Sequence, residues 1–350
     1  MKRIVLTLTI LVTGAIAAGA VYQTVGAWRD ALRFPQLGRS VALGPQFGNT
    51  SLNLDCSGQG SPTVILDSGI GVPAVGWIKV QREVANFARV CSYDRAGYGW
   101  SDAGPEPRTS VQIAKELKAL LNAASKEGPY VMVGHSFGAF NVRVFTELYP
   151  MDVSGVVLVD GSHEDEEERI NEMLPIAVVK REERNDLWNG RVNQFLMPLR
   201  IHLGIQRLQM ATGLGTPNYG VLQAARGYTK IFQQELLYLR QQEKFRHAVA
   251  SESKAFAESI AQVRAAGNLG DRPLIVLTAG IPYFPDPLLT KEEMDMQTNL
   301  WITVLQAQEA HLSTHGKQII VPDSGHMIPF SRPDTVIEAI REVCDSVNNN

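Results

Sequence analysis

Apolar and polar positions change their spacing from one segment of the chain to the next. Short apolar runs of strand-forming residues alternate with segments in which apolar residues recur at helical spacing. The later runs, such as VMV, VVLV and LIVL, are apolar throughout, which is typical of strands covered by helices on both faces. The pattern therefore predicts an α/β fold around a mostly parallel sheet. The predicted strands are Ser51–Cys56, Thr63–Asp67, Arg89–Tyr93, Tyr130–Val133, Gly155–Val159, Leu274–Thr278 and Gln318–Val321.

The segments between these strands carry helix signals. Thr109 and Gln112 form a T-x-x-Q capping box before an amphipathic run, and Pro333 stands where another helix begins. The alternation breaks at residues 161–271, which are helical, polar and Met-rich without a strand pattern. We therefore expect a helical cap over 161–271, inserted between a first core segment at 39–160 and a second at 272–346.

Residues 1–30 form a segment of their own. No charged residue occurs from Ile4 to Trp28, and Lys2 and Arg3 precede this run. Because about 20 apolar residues can cross a bilayer, the segment is predicted to be an export signal or a membrane anchor. The A-x-A pattern at residues 18–20 would permit cleavage, whereas the length of the run favours an anchor. In either case we expect the rest of the chain to lie outside the cytoplasm.

Composition and charge narrow the possible partners. The chain has 33 basic and 36 acidic residues and a net charge of −3, so nothing favours nucleic-acid binding. Its three cysteines are too few for a disulfide-built scaffold and too far apart for a C-x₂₋₄-C zinc pair. No metal or organic cofactor is indicated, and no particular oligomeric state. The expected partners are a small-molecule substrate and, through the N-terminal segment, a membrane.

The motif G-H-S-F-G at Gly134–Gly138 lies between a predicted strand and helix-forming text. This is the setting of a nucleophile elbow, in which a sharp turn presents the central serine at a helix N-terminus. Ser136 is therefore the predicted nucleophile. A serine hydroxyl needs a base, and His326 follows the last predicted strand. Because parallel strands end at one edge of a sheet, Ser136 and His326 should meet there.

Acyl transfer at Ser136 would also need two N–H donors for the oxyanion of the tetrahedral intermediate. The backbone N–H of Phe137, directly after the nucleophile, is the first candidate. The second is the N–H of Ile70, in the glycine-containing loop after the strand Thr63–Asp67.

The acid that orients His326 has two candidates. Asp160 ends a buried strand beside the strand of the nucleophile, whereas Asp286 lies in a proline-containing loop farther along the chain. A carboxylate at the end of a strand is held on a rigid element, while proline limits how far a loop can fold back. We therefore expect Asp160 to be the acid, with Asp286 second.

These motifs resemble the α/β-hydrolase fold superfamily, most closely its bacterial serine hydrolases. The resemblance covers roughly residues 40–165 and 270–345. It implies a sheet of about eight strands, the second of them antiparallel, and a cap between the sixth and seventh strands. The segments that carry it are RVCSYDRAGYGWSD at Arg89–Asp102, GPYVMVGHSFG at Gly128–Gly138, VVLVDGSHED at Val156–Asp165 and SGH at Ser324–His326.

The chain departs from the commonest family pattern at two places. The oxyanion loop reads Ser68-Gly69 instead of His-Gly, and the strand before Asp286 does not end in a short glycine–acid turn. The family implies that the turn Asp94–Gly99, with Arg95 and Tyr98, shapes the floor of the site. It also makes the strands of Cys56 and Cys91 antiparallel neighbours, so a disulfide can form between them; two buried thiols are the alternative.

The combined prediction is a serine hydrolase that cleaves a carboxylic ester or related acyl bond through an acyl-enzyme. The alternatives are a cofactor-free haloperoxidase-like or amide-cleaving enzyme and a non-catalytic, membrane-tethered binding protein. Epoxide hydrolases and haloalkane dehalogenases are disfavoured because they need a carboxylate where this chain has Ser136. Apolar residues from Leu187 to Met210 are candidates for an acyl-pocket wall, although helix packing explains most of them.

Overall fold

The protein is described here from a computed structural model. It defines residues 2–349 except 175, 177, 182–183, 185–195, 213–219 and 282–288. The chain forms two compact units, one of Met1–Pro35 with Ile176–Glu243 and the other of Gln36–Pro175 with Lys244–Asn350. The predicted cap, residues 161–271, thus contributes to both units.

The larger unit is built on an eight-stranded sheet with the order β1-β2-β4-β3-β5-β6-β7-β8. β2 is antiparallel to β1 and β4, and the remaining pairs are parallel. This confirms the predicted α/β-hydrolase sheet. The strands are β1 Arg39–Ala42, β2 Ser51–Ser57, β3 Thr63–Asp67, β4 Arg89–Tyr93, β5 Tyr130–His135, β6 Val153–Val159, β7 Leu274–Ala279 and β8 Gly316–Val321.

Both faces of this sheet are covered, as the continuous apolar strands predict. Met132 and its neighbours pack on one face with the helices Ser110–Ala123 and Phe137–Leu148. Val131 and its neighbours pack on the other with Ile78–Val84 and Pro333–Asn348. Each fully buried aliphatic side chain contributes about 1.5–3 kcal/mol of transfer free energy. This core fixes the strand ends that carry the candidate site.

The helices begin where the sequence provides caps. The Thr109 hydroxyl accepts the Gln112 N–H at 3.3 Å, and Pro333 starts the last helix. The other helices of the larger unit are Glu166–Met173, Glu243–Lys254, Phe256–Ala265, Lys291–Leu300, Gln306–Ala310 and Ile328–Ser331. Those of the smaller unit are Lys2–Arg33, Ile205–Thr212, Gly220–Ala224 and Lys230–Gln241.

Cys56 on β2 lies opposite Cys91 on β4, and a disulfide joins the two residues. Their Cα atoms are 4.1 Å apart. Cys344 is a buried free thiol.

The N-terminal helix Lys2–Arg33 is long and apolar enough to cross a membrane. Its most apolar stretch has a mean hydropathy of 2.3, and none of its residues is buried. The prediction of an apolar N-terminal segment with a membrane-spanning length is therefore confirmed as far as length and composition decide it.

Candidate active site

Ser136 lies in a tight turn between β5 and the helix Phe137–Leu148. Its backbone has φ 54° and ψ −126°, a conformation that non-glycine residues rarely adopt and that is found where function maintains it. The turn also needs Gly138, since a Cβ there would lie 2.5 Å from the Asp67 carbonyl oxygen. The predicted strand–turn–helix context of G-x-S-x-G is present, and it presents Ser136 at the N-terminus of a helix.

His326 and Asp160 meet at the same edge of the sheet. The His326 Nδ1 and an Asp160 carboxylate oxygen are 2.8 Å apart, and Asp160 is fully buried. The other Asp160 oxygen accepts the Ala279 N–H at 2.8 Å and the indole N–H of Trp301 at 2.9 Å. Because Nδ1 donates its proton to the carboxylate, the neutral imidazole carries its lone pair on Nε2. His326 can therefore act as a base through that nitrogen.

His135, the residue before the nucleophile, lies against His326 with a ring-centroid separation of 4.8 Å. Its Nε2–H donates to the His326 carbonyl oxygen at 2.9 Å. Burial, and next the charge of His326, lower the pKa of His135 to about 3. His135 thus stays neutral and ties the loop of His326 to the elbow.

The loop after β3 passes directly beside the nucleophile. A Cβ on Gly69 would lie 2.9 Å from the Ser136 Cβ and 3.3 Å from its Oγ, so a larger residue would not fit without a shift. Ile70 follows in this loop, and Phe137 opens the nucleophile helix. Ser68, which replaces the usual histidine, is buried, and its hydroxyl has no hydrogen-bond partner among the described residues.

Arg95 binds the backbone of this loop. Its guanidinium donates to the carbonyl oxygens of Ser68 and Gly69, in the latter case at 3.1 Å. It also binds Asp67 at 2.8 Å and the Glu252 carboxylate at 2.8 and 3.0 Å. All three charged side chains are at most 2% exposed. Removing one partner of such a network leaves an uncompensated buried charge, at a cost of about 3–5 kcal/mol.

Two tyrosines complete the network around Arg95. Tyr93 donates its hydroxyl proton to Asp67 at 2.7 Å, and Tyr98 donates to Glu252 at 2.5 Å. The Tyr98 oxygen in turn accepts the Gly71 N–H at 3.0 Å. Burial raises the pKa of Asp67, while Arg95 and Tyr93 act in the opposite direction. The turn Asp94–Gly99, for which the family resemblance implies a structural role, thus also contacts the loop that contains Ile70.

A cavity of about 340 Å³ opens beside Ile70. This volume is at the lower end of the range of small-molecule pockets. Phe256 forms part of its wall and packs on Phe137 with ring centroids 5.7 Å apart. The other lining residues are Glu167, Ser253, Lys254, Ala257 and Ile260.

One group of side chains in the described part of the chain has donors that could surround a metal ion. Donor atoms of His163, Glu164 and Glu309 lie within 4.8 Å of one another. Arg143 already pairs with Glu164 at 2.6 Å and with Glu309 at 2.8 Å. The geometry therefore favours a buried ion-pair cluster over a metal site.

The sequence analysis predicted that Ser136, His326 and Asp160 lie at one edge of the sheet. It did not predict the residues that hydrogen-bond around them. Arg95 was expected only to shape a turn, and Glu252 and Trp301 were not expected near the site. No local motif marks either of the latter two, because their partners are more than 140 positions away along the chain. Asp286, the second candidate acid, lies outside the described residues.

Comparison with known proteins agrees with this architecture. The profile of the Alpha/beta hydrolase family matches residues 64–339. The uncharacterized protein YqjL of Bacillus subtilis is 33% identical over 103 residues, which are 29% of this chain and 41% of that protein. The matched segments span less than half of the first curated relatives' own length.

Solved structures share the fold at low sequence identity. An esterase from Thermogutta terrifontis has a TM-score of 0.53 and 18% identity, over 88% of this chain and 98% of that one. The epoxide hydrolase CorEH has a TM-score of 0.59 and 14% identity, with the same coverage of both chains. Likeness at this identity concerns the fold alone. Together with the matched profile, the sheet order and the elbow at Ser136 lead to one conclusion: the chain belongs to the α/β-hydrolase family.

Proposed function

We propose that this α/β-hydrolase is a serine hydrolase that cleaves a carboxylic ester or a related acyl bond. The observation that carries the proposal is the buried hydrogen bond between His326 and Asp160, at the sheet edge where Ser136 occupies the elbow. A nucleophile, a base and an orienting acid are the three groups that acyl transfer requires.

The proposed reaction has two halves. His326 Nε2 takes the proton of Ser136 as Oγ attacks the substrate carbonyl, and the imidazolium is stabilised by Asp160. The tetrahedral intermediate collapses, the bond to the leaving alcohol breaks, and His326 returns the proton to the alcohol oxygen. Water then gives a proton to His326 and attacks the acyl-enzyme. Collapse of this second intermediate releases the acid and restores Ser136.

The oxyanion is proposed to bind the N–H groups of Phe137 and Ile70. A trans peptide points its C=O and N–H in opposite directions. Because Arg95 holds the Gly69 carbonyl oxygen, the N–H of Ile70 in the same peptide points away from Arg95. This supports Arg95 as a positioning residue for the oxyanion loop.

We also propose that the catalytic part lies outside the cytoplasm. The apolar helix Lys2–Arg33 could hold the chain in a membrane. The Cys56–Cys91 disulfide favours an oxidising compartment, since cytosolic disulfides are rare.

The test combines a fluorophosphonate probe with a panel of nitrophenyl esters of increasing acyl length, applied to the full chain in detergent. Labelling and ester hydrolysis are expected for the native protein and should both disappear in Ser136→Ala. An anilide series run beside the esters would reveal a preference for amides. A folded native protein that is not labelled would contradict the proposal and favour a non-catalytic binding role.

A further inference from the structure

The segment 196–212 of the smaller unit buries a glutamine and exposes several large apolar side chains. Gln206 is 1% exposed, and its amide hydrogen-bonds with Met197 and Gln241. Four of the exposed side chains are large and apolar and recur at a spacing of three or a multiple of three, with the exposed His202 among them. We call them the outer stripe, and it consists of Leu196, Leu199, Ile205 and Leu208, which are 49%, 53%, 38% and 54% exposed.

A helix on a water-soluble surface directs its polar side chains outward and its apolar ones inward, because exposing leucine to water raises the free energy. Scattered exposed apolar residues are ordinary, but a stripe of them above a buried glutamine indicates an apolar environment outside. The outer stripe therefore has the character of a surface that faces lipid or another protein.

The position of the segment within its unit decides between these two. It packs on the C-terminal half of the helix Lys2–Arg33. A Cβ on Gly19 would lie 2.6 Å from the Leu203 carbonyl oxygen, so the two backbones approach closely. Arg207 pairs with Asp30 at 2.7 Å and donates to Gln23 at 3.2 Å.

These contacts place the segment at one end of the apolar helix. With a rise of about 1.5 Å per residue, a helix starting at Ile4 crosses a hydrocarbon core of about 30 Å by about residue 24. The contacts of Gly19 with Leu203 and of Asp30 with Arg207 lie on either side of this point. The segment therefore lies at the depth where the hydrocarbon ends and the headgroups begin.

The charge of the segment agrees with that depth. Residues 196–212 contain Arg200, His202 and Arg207 and no acidic residue. Basic groups beside an apolar stripe are typical of helices that lie in the interface of a membrane with anionic lipids.

We propose that the outer stripe inserts into the bilayer that holds the helix Lys2–Arg33. The smaller unit then contacts the membrane twice, through a spanning helix and through an interfacial segment packed against its end. The lipid contact requires that the N-terminal helix be retained in the mature protein.

The test measures lipid contact residue by residue in the full chain. Cysteine is introduced singly at Leu199, Leu208, Val12 and Met151 in a Cys344→Ala background and labelled with an environment-sensitive dye. Val12, near the middle of the stretch from Ile4 to about residue 24, reports the spanning segment. Met151, 90% exposed on the larger unit, reports a position in water. The proteins are placed in nanodiscs of phosphatidylcholine and phosphatidylglycerol with one copy per disc, and nitroxide lipids serve as quenchers.

Dyes at Leu199 and Leu208 should emit at shorter wavelength than at Met151 and be quenched by nitroxide lipids, as at Val12. Quenching at Val12 without quenching at Leu199 and Leu208 would overturn the proposal. So would shielding of the two leucine positions only at several copies per disc, which would identify a second copy as the occupant. Lack of quenching at Val12 would overturn it as well, because the spanning helix is its premise. None of these readouts depends on catalysis at Ser136.

Discussion

Replacing Asp160 by asparagine tests the candidate triad most directly. In the native protein both the Ala279 N–H and the Trp301 indole donate to the same carboxylate oxygen. These two donors would hold the amide oxygen of an asparagine in that place. The amide NH₂ would then face His326 and donate to Nδ1. The proton of the neutral imidazole would move to Nε2, and the base for Ser136 would be lost.

The expected loss follows from this tautomer change. A wrong tautomer lowers kcat by about 10⁴-fold, which corresponds to about 5.5 kcal/mol of transition-state stabilisation. The measurement is kcat on a reactive nitrophenyl ester, together with the rate of fluorophosphonate labelling, which should fall in parallel. Thermal melting shows whether the variant is folded, since asparagine has nearly the same shape as aspartate.

Asp286→Asn is the matched control, because it makes the same chemical change at the alternative acid. Its kcat should stay within about tenfold of the native value. The reasoning is refuted if Asp286→Asn causes the large loss while Asp160→Asn remains nearly as active as the native enzyme.

Three further predictions concern Arg95, the Cys56–Cys91 disulfide and His135. Arg95→Lys keeps the charge but cannot reach both carbonyls of the oxyanion loop, so kcat should fall by about 10²-fold with little change in KM. Replacing Cys56 and Cys91 together by serine opens a loop spanning 35 residues, which should lower the free energy of unfolding by about 4 kcal/mol. The pKa of His135 is about 3 in the folded chain and 6.5 when unperturbed, so between these pH values the unfolded chain binds a proton at this residue and the folded chain does not. The contribution of neutral His135 to the free energy of unfolding is therefore complete above pH 6.5 and is lost as the pH falls toward 3. His135→Gln should therefore remove about 2 kcal/mol of the stability difference between pH 8 and pH 5.

Each of these has a result that would contradict it. For Arg95→Lys, kcat is compared with the melting temperature, and a KM increase at unchanged kcat would exclude a role in the oxyanion loop. For the cysteine pair, urea unfolding should match that of the reduced native chain, and three alkylated thiols in the native protein without reductant would rule the bond out. For His135→Gln, an unchanged slope of stability against pH would show that another group is responsible.

The strand pattern predicted the sheet well because burial on both faces leaves a strong signal. All seven strands predicted from apolar runs occur, and most extend by one or two residues where hydrogen bonding continues past the apolar core. β1, at Arg39–Ala42, was not among the predicted strands. It is an edge strand with one buried residue, so its sequence has little apolar pattern. The antiparallel direction of β2 came from the family resemblance, since a strand's own sequence does not encode its direction.

The sequence predicts those residues of the candidate site that belong to a local motif or directly follow a predicted strand. Ser136, Asp160 and His326 each follow a strand, and parallel strands bring their ends together. The pairing of Arg95 with Glu252 joins residues 157 positions apart, so no local pattern could indicate it. The same holds for the contact of Asp30 with Arg207, which links the N-terminal helix to part of the predicted cap. Such contacts depend on tertiary packing, which a single sequence does not reveal.

The place of Asp160 explains how an acid directly after β6 can serve a histidine after β8. β7 lies between these two strands, and Asp160 is bound to β7 twice. Its N–H donates to the Leu277 carbonyl oxygen at 2.7 Å, and its carboxylate accepts the Ala279 N–H at 2.8 Å. The positive φ of 43° at Asp160 is a strained conformation that these bonds stabilise. The neighbouring strand thus fixes the direction of the carboxylate that binds His326, as the proposed triad requires.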